Sequence, residues 1–301
     1  MRYILILSIL ISFFVAYVLA PWFIKYFTQI GLLVKDQHKE GKPLIPISGG
    51  MIVFLGVFFG VMFAIFVQTF YYHSESKVIY LLVFITSLFA ITIVGFFDDL
   101  LIRKDNESSF GLKQWQKPLL TVIAAVPLMV INAGHTTMFI PMIGNIDFGI
   151  LYPLLFIPIA VVGASNMVNL LGGFNGLEAG LGVIYLGNLS LYAFINSSGT
   201  GTDVAVLIGF ITCAALIAFL IFNSVPAKIF PGDSLTYLLG GVLVSMAIIG
   251  NMEMAALIVS IPFFFEFVLK LRGRLKKQSY GTYENGKVKS FYSKIYSIPH
   301  F

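Results

Sequence analysis

Three carboxylates and a run of carboxamides are the residues of this chain best suited to chemistry. Asp98 and Asp99 are adjacent and follow an apolar run ending Val94-Gly95-Phe96-Phe97. Asp233 follows Phe230-Pro231-Gly232 and opens another apolar run. Between them lies NMVNLLGGFNGLEAG, Asn166 to Gly180, with Asn166, Asn169 and Asn175 beside a Gly172-Gly173 pair and an Asn175-Gly176 turn. Hard divalent cations prefer such oxygens, and Mg2+ takes one or two carboxylates together with substrate phosphates and water. Asp233 and an asparagine carbonyl could supply the protein ligands, with Mn2+ as the alternative ion. Asp233 equally fits a helix N-cap, and Asp98-Asp99 equally fit solvated charge at a membrane rim. Adjacent carboxylates repel, so a cation or lysine partner is expected beside them. Lys117, Arg272 and Arg274 supply the opposite sign, and guanidinium groups bind phosphate in a fork, although the two arginines, just past the ninth predicted span, also fit positive-inside anchors. Acids for a metal and bases for phosphates suit phosphoryl transfer, which depends mostly on positioning and charge stabilisation.

The elements that must position these groups belong to a bilayer. The 301 residues are 58% hydrophobic and 11% charged, whereas a soluble domain is roughly 25% charged. A helix needs about 20 apolar residues to cross the hydrocarbon core. Nine runs are predicted as spans: 4–24, 50–72, 78–97, 117–133, 149–167, 177–196, 203–222, 234–250 and 252–270. The first exceeds a signal-peptide core and lacks a clear cleavage site. The expected architecture is all-α, a polytopic transmembrane helical bundle forming one integral membrane domain over 1–301. The Asn-rich break must then be buried in protein or wetted by a cavity, because lipid-exposed backbone cannot be irregular. A polar cluster there marks a functional site.

Alternate connectors fall on one side: 25–49, 98–117, 168–176, 223–233 and 271–301. That set carries nearly all the basic residues, among them Lys39, Lys42, Arg103, Lys104, Lys113, Lys117, Arg272, Arg274 and Lys277, while the other side has Arg2 and Lys77. By the positive-inside rule the first set is cytoplasmic and the N-terminus outside. The basic excess thus needs no nucleic-acid partner. The outer connector 134–148 is expected to form a short hairpin. Cys213 is the one cysteine, so no intrachain disulfide exists. His38, His73, His135 and His300 lie in separate connectors on both sides, and no HExxH or Cys-x-x-Cys pattern occurs. Gly49-Gly50 and Gly172-Gly173 lack the strand–GxGxxG–helix context of a nucleotide fingerprint. Gly49-Gly50 are better read as permitting close helix packing.

Four motifs carry a family resemblance: IPISGG (Ile45–Gly50), GFFDDL (Gly95–Leu100), the Asn166–Gly180 run, and FPGDSLTYLLGG (Phe230–Gly241). In order, spacing and side of the membrane the chain resembles the polyprenyl-phosphate N-acetylhexosamine-1-phosphate transferases. The Phe174–Gly180 ending resembles the eukaryotic and archaeal dolichyl-phosphate branch, since the bacterial muropeptide branch usually has Asp at Asn175 and a His-rich loop. The resemblance implies transfer of GlcNAc-1-phosphate from UDP-GlcNAc to a polyprenyl or dolichyl phosphate with release of UMP. It implies Asn169 and Asp233 as Mg2+ ligands and Asp98 or Asp99 on the lipid phosphate. Asn175 would read the uracil edge and Phe230 pack on its ring. Lys117, Arg272 and Arg274 would hold phosphates. Asn166 and Glu178 would support the loop or contact nucleoside, and Ser48 joins the substrate-binding set. The membrane would be the plasma membrane of a prokaryote, with an archaeal source favoured, or the endoplasmic reticulum of a eukaryote. A homodimer is compatible with this reading. Two departures stand out: Gly273 lies where the family often has His between the two arginines, and the family usually has ten spans. A bacterial-type undecaprenyl-phosphate enzyme is the alternative within the class. A transporter or lipid flippase is the alternative outside it, but transporters place ionisable groups near the midplane, often in repeats, and here they crowd one rim.

Overall fold

The computed structural model describes residues 2–101, 111–131, 136–140, 142–284 and 286–301. Arg103, Lys104 and His135, and Gly134 and Pro141 of the outer connector, lie outside the described residues. Seven helices are long and apolar enough to cross a bilayer, which makes this a polytopic helical membrane protein. They are α1 (Arg2–Ile30), α2 (Gly50–Phe70), α3 (Glu75–Leu100), α6 (Ile157–Leu170, extended by a π-helical turn from Tyr152), α7 (Leu177–Ile195), α8 (Thr200–Asn223) and α9 (Gly232–Gly250).

The other two predicted spans are interrupted, and proline accounts for both. Residues 117–133 were expected as one helix. They form α4 (Gln116–Thr121), a 3-10 turn (Val122–Ala125) and α5 (Val126–Ile131). Pro127 has no N–H for the Ile123 carbonyl, so the backbone tightens just before it. Residues 252–270 form α10 (Glu253–Val259) and α11 (Ile261–Arg272), bent by 58°. Pro262 lies just after the break and removes another ladder bond. This pair is a broken span or a re-entrant segment; by length and composition seven helices qualify as spans among the described residues, or eight with this pair taken as one, and Gln116–Ile131 is a shorter apolar helix.

Burial ranks the helices. In their apolar windows α9 is 94% buried, α8 78% and α1 28%, so α9 is the central post and α1 faces the bilayer. Around α9 stand α3, α6, α8 and α2. The start of α2 crosses the start of α9 at backbone contact: a Cβ on Gly50 would lie 2.3 Å from Leu235 N. Small residues let membrane helices approach this closely, which agrees with the packing role expected of Gly50.

Three antiparallel hairpins complete the fold. β1 (Leu33–Lys35) pairs with β2 (Leu44–Pro46), β3 (Thr137–Ile140) with β4 (Gly144–Asp147), and β5 (Thr282–Glu284) with β6 (Lys287–Lys289). The second is the hairpin expected in the outer connector. The first and third belong to the opposite end, where the polar residues gather.

Candidate active site

Helix α3 ends in Asp98-Asp99, and an α-helix turns successive side chains about 100° apart. The two carboxylates therefore enter different surroundings. Asp99 is fully buried. It accepts hydrogen bonds from Asp233 N at 2.7 Å, Ser234 N at 3.2 Å and Ser48 Oγ at 2.7 Å. It thus satisfies orphan donors in the first turn of α9. Gly232 makes room for it: φ there is +72°, and a Cβ would stand 2.4 Å from Asp99 Oδ2. The Ile45–Gly50 motif is laced to the same place. Phe230 N donates to Pro46 O at 2.8 Å, Gly49 N to Phe230 O at 2.9 Å and Gly50 N to Pro231 O at 3.0 Å.

Asp98 instead lines a cavity of about 590 Å³, within the roughly 300–1,000 Å³ of small-molecule sites. Leu112 N holds its Oδ1 at 2.6 Å. Its buried Oδ2 is paired with the Lys117 ammonium, Nζ lying 2.5 Å away. Lys117, in the first turn of α4, also donates to Asp233 Oδ2 at 2.8 Å. Asn169 Nδ2 lies 3.3 Å from the same oxygen, and its Oδ1 accepts Thr236 Oγ1 at 2.9 Å. One ammonium is thus shared by two carboxylates from separate helices, with a carboxamide alongside. This is the lysine partner expected beside the acids.

Among the described residues no three His, Cys, Asp or Glu side chains form a metal group by themselves. The donor set is two carboxylates, Asp98 and Asp233, and the Asn169 carboxamide. It fits Mg2+, which takes few protein oxygens and completes its shell with substrate phosphates and water. Asp98 Oδ2 and Asp233 Oδ2, both held by the Lys117 ammonium, are acceptors of the right kind.

The walls come from other connectors. Asn169 lies in the last turn of α6, and the break itself is 171–176. Glu178 Oε1 accepts Gly173 N at 3.0 Å, while its buried Oε2 is unpartnered. Asn223 ties this loop to the segment leading into α9, accepting Gly176 N at 3.1 Å and donating to Ile229 O at 2.9 Å. Phe230, Phe174, Asn175 and Glu178 all line the cavity. Asn175 Nδ2 reaches back to Asp36 Oδ2 at 3.4 Å. Burial pushes the Asp36 carboxyl up, but hydrogen bonds from Lys39, the His38 N–H and Asn175 outweigh it and hold it below its ordinary value. Burial also pushes the neighbouring His38 below the ordinary imidazole value, against the pull of Asp36.

Of the expected site residues, Asp98, Lys117, Asn169, Asn175, Glu178, Phe230 and Asp233 line one cavity. Ser48 and Asp99 do not, because both are buried in the clamp on α9. Asn166 turns to Val162 O at 2.8 Å, with Thr121 Oγ1 at 3.5 Å. Arg272 and Arg274 are exposed outside the lining, with the Arg272 guanidinium 5.8 Å from the Tyr296 ring centre. Lys270, Lys277 and Tyr280 line the cavity and were not expected there. Lys270 donates to Ser279 Oγ at 2.6 Å and Lys277 O at 2.9 Å, with Glu266 Oε1 3.7 Å away. A signal existed: Glu266 and Lys270 sit four apart inside an apolar run, where charge is costly and marks function.

The sequence matches the pattern of glycosyl transferase family 4 over residues 80–251. The chain belongs to this family. A relative from Saccharolobus solfataricus is 36% identical over 98% of this chain and 87% of its own length. It is named provisionally as a UDP-N-acetylglucosamine–dolichyl-phosphate N-acetylglucosaminephosphotransferase. A protein of the same name from Sulfolobus acidocaldarius is 32% identical over 98% of this chain and 86% of its own length. A phospho-N-acetylmuramoyl-pentapeptide-transferase from Lacticaseibacillus paracasei is 32% identical over 85% of this chain and 78% of its own length. Residues 80–251 include Asp98, Lys117, Asn169 and Asp233, so the family match spans the whole charged cluster.

Proposed function

We propose that the chain transfers N-acetylglucosamine 1-phosphate from UDP-N-acetylglucosamine to a dolichyl-type polyprenyl phosphate, releasing UMP. In this reading it performs the first step of lipid-linked oligosaccharide assembly, at the cytoplasmic face. The observation that carries it is the ammonium of Lys117 shared by Asp98 and Asp233 in a polar cavity walled by Asn169, Asn175 and Phe230. The names of the archaeal relatives supply the substrate pair. The basic side of the chain supports the cytoplasmic orientation.

In the proposed reaction an oxygen of the lipid phosphate attacks the β-phosphorus of the nucleotide sugar. The bond from that phosphorus to the bridging oxygen breaks, and UMP departs with the electron pair. A phosphate monoester is already largely dianionic near pH 7, its second pKa being about 6. Asp98 therefore steers the lipid phosphate rather than acting as a strong base. Lys117 neutralises charge on the transferred group. Asp233 and Asn169, with Asp98, would hold Mg2+, which when bound offsets charge on the diphosphate. For Asn169 to ligate, its carboxamide turns its oxygen from Thr236 toward Asp233. Asn175 meets the uracil edge and Phe230 its face. Arg272 and Arg274 reach phosphates only if the turn after α11 moves toward the cavity. Asp99 and Ser48 act by holding the start of α9, not by touching substrate.

Purified protein with UDP-N-acetylglucosamine, dolichyl phosphate and Mg2+ is expected to release UMP only when all three are present, and EDTA is expected to stop it. Absence of coupled release across several UDP-sugars and prenyl lengths would remove the proposal. A clear preference for undecaprenyl phosphate would move the chain to the bacterial-type alternative.

A further inference from the structure

Behind one wall of the cavity three connectors meet at a histidine. His38 lies in the turn between β1 and β2 and does not line the cavity. Its imidazole stacks on the Phe174 ring, with centroids 4.6 Å apart and planes at 23°. Gly281 N donates to its Nε2 at 3.3 Å. The backbone N–H of His38 donates to Asp36 Oδ1 at 3.1 Å. Oδ2 of that carboxylate takes Asn175 Nδ2 at 3.4 Å and Lys39 Nζ at 2.9 Å. Asp36 is only 2% exposed, so this is a built junction rather than a surface contact. Phe174 and Asn175 belong to one wall of the cavity, and Tyr280, next to Gly281, belongs to the other.

We propose that His38 is a positioning residue that sets the distance between the Phe174–Asn175 wall and the 279–281 wall. The role needs two properties at once: a flat ring to stack on Phe174, and an acceptor at its far tip for the Gly281 N–H. Imidazole has both in its neutral form. Phenylalanine keeps only the ring, and glutamine keeps only the acceptor. Because Asn175 is tied to Asp36 on the same turn, two attachments of the Asn-rich loop pass through the β1–β2 connection, beside those from Asn223 to Gly176 and from Ser279 to Leu170 O. The inference rests on the reading of this cavity as the nucleotide-sugar site.

The test uses the full chain in lipid nanodiscs, with His38→Ala, His38→Phe and His38→Gln. Amide hydrogen exchange is read without ligand, and KM and kcat are read with UDP-N-acetylglucosamine and dolichyl phosphate. In His38→Ala, exchange is expected to quicken at 173–176 and at 279–283 together. KM for the nucleotide sugar should rise roughly three- to tenfold, the range one aromatic contact supplies, with KM for the lipid unchanged. His38→Phe should protect 173–176 and loosen 279–283, and His38→Gln should do the reverse. Faster exchange confined to residues 36–43, or equal rises in both KM values, would overturn the proposal. If wild-type protein turns over no substrate, the functional reading fails, and the exchange pattern still decides the role of His38.

Discussion

Around Asp99 the protein is saturated with backbone and hydroxyl donors, whereas Asp98, one residue earlier on the same helix and equally buried, pairs with a lysine at the wall of a cavity. Asp99 has three donors and no exposure. Asp98 has one backbone donor on Oδ1 and the shared Lys117 ammonium on Oδ2, and it borders a cavity. A buried carboxylate with every acceptor engaged fixes geometry. One held by a lysine ammonium beside a cavity can exchange that partner for a ligand. The clamp registers α2, α3 and α9, and that register brings Asp233 to Asp98 and Lys117. The difference separates a residue that holds the site from one that works in it.

Substitutions on the two sides should part company. Asp233→Asn is expected to lower turnover by about 1,000-fold, the scale of losing a preorganised charge at a reacting group, with thermal unfolding nearly unchanged. Comparable loss of stability would erase the distinction. Asp99→Ala strands the Asp233 and Ser234 N–H groups, leaves Ser48 Oγ only Ser234 Oγ, and should cost about 3 kcal/mol of stability, read as a lower unfolding midpoint in detergent. Gly50→Ala forces a Cβ against the backbone of α9 and should cost about 2 kcal/mol by the same measurement. An unchanged midpoint would show that α2 does not seat there.

The smallest effect concerns pH and a third region, the turn behind the wall. Burial holds His38 below its usual 6.5, so the folded state favours the neutral ring. Its contribution is full above 6.5 and is lost as pH falls through that value toward the folded one. Asp36 is also held low, so its contribution is lost only at lower pH, as pH falls through its folded value. The titratable neighbours are Asp36 and Lys39 on the turn and Tyr280 beside Gly281. The protection factor of the Gly281 amide is expected to fall as the pH drops below 6.5 in the wild type but not in His38→Gln. A flat wild-type profile would separate this junction from His38 protonation.

Much of this was legible in the residues. The bundle followed from apolar run length, and the convergence of acids and lysine at one rim followed from counting alternate connectors. The breaks at Pro127 and Pro262 were hidden because hydropathy registers apolar surface and not a missing N–H. Asp98 and Asp99 could not be told apart, since which one faces the cavity depends on where α9 packs. Lys270 carried a signal, a charge four residues after Glu266 in an apolar run, but its partner Ser279 depends on how the chain turns after α11. His38 was a lone histidine in a connector, and its partners are 136 and 243 positions away in sequence.

The most direct measurement follows the β-phosphate. UDP-N-acetylglucosamine labelled there with 32P is incubated with the purified chain, dolichyl phosphate and Mg2+, and the lipid and water-soluble products are separated. The label is expected in the lipid as a sugar-linked diphosphate, with unlabelled UMP in the aqueous phase. Label recovered in UDP beside a glycosylated lipid would mean that the sugar moved without its phosphate, and would contradict the reading of this site.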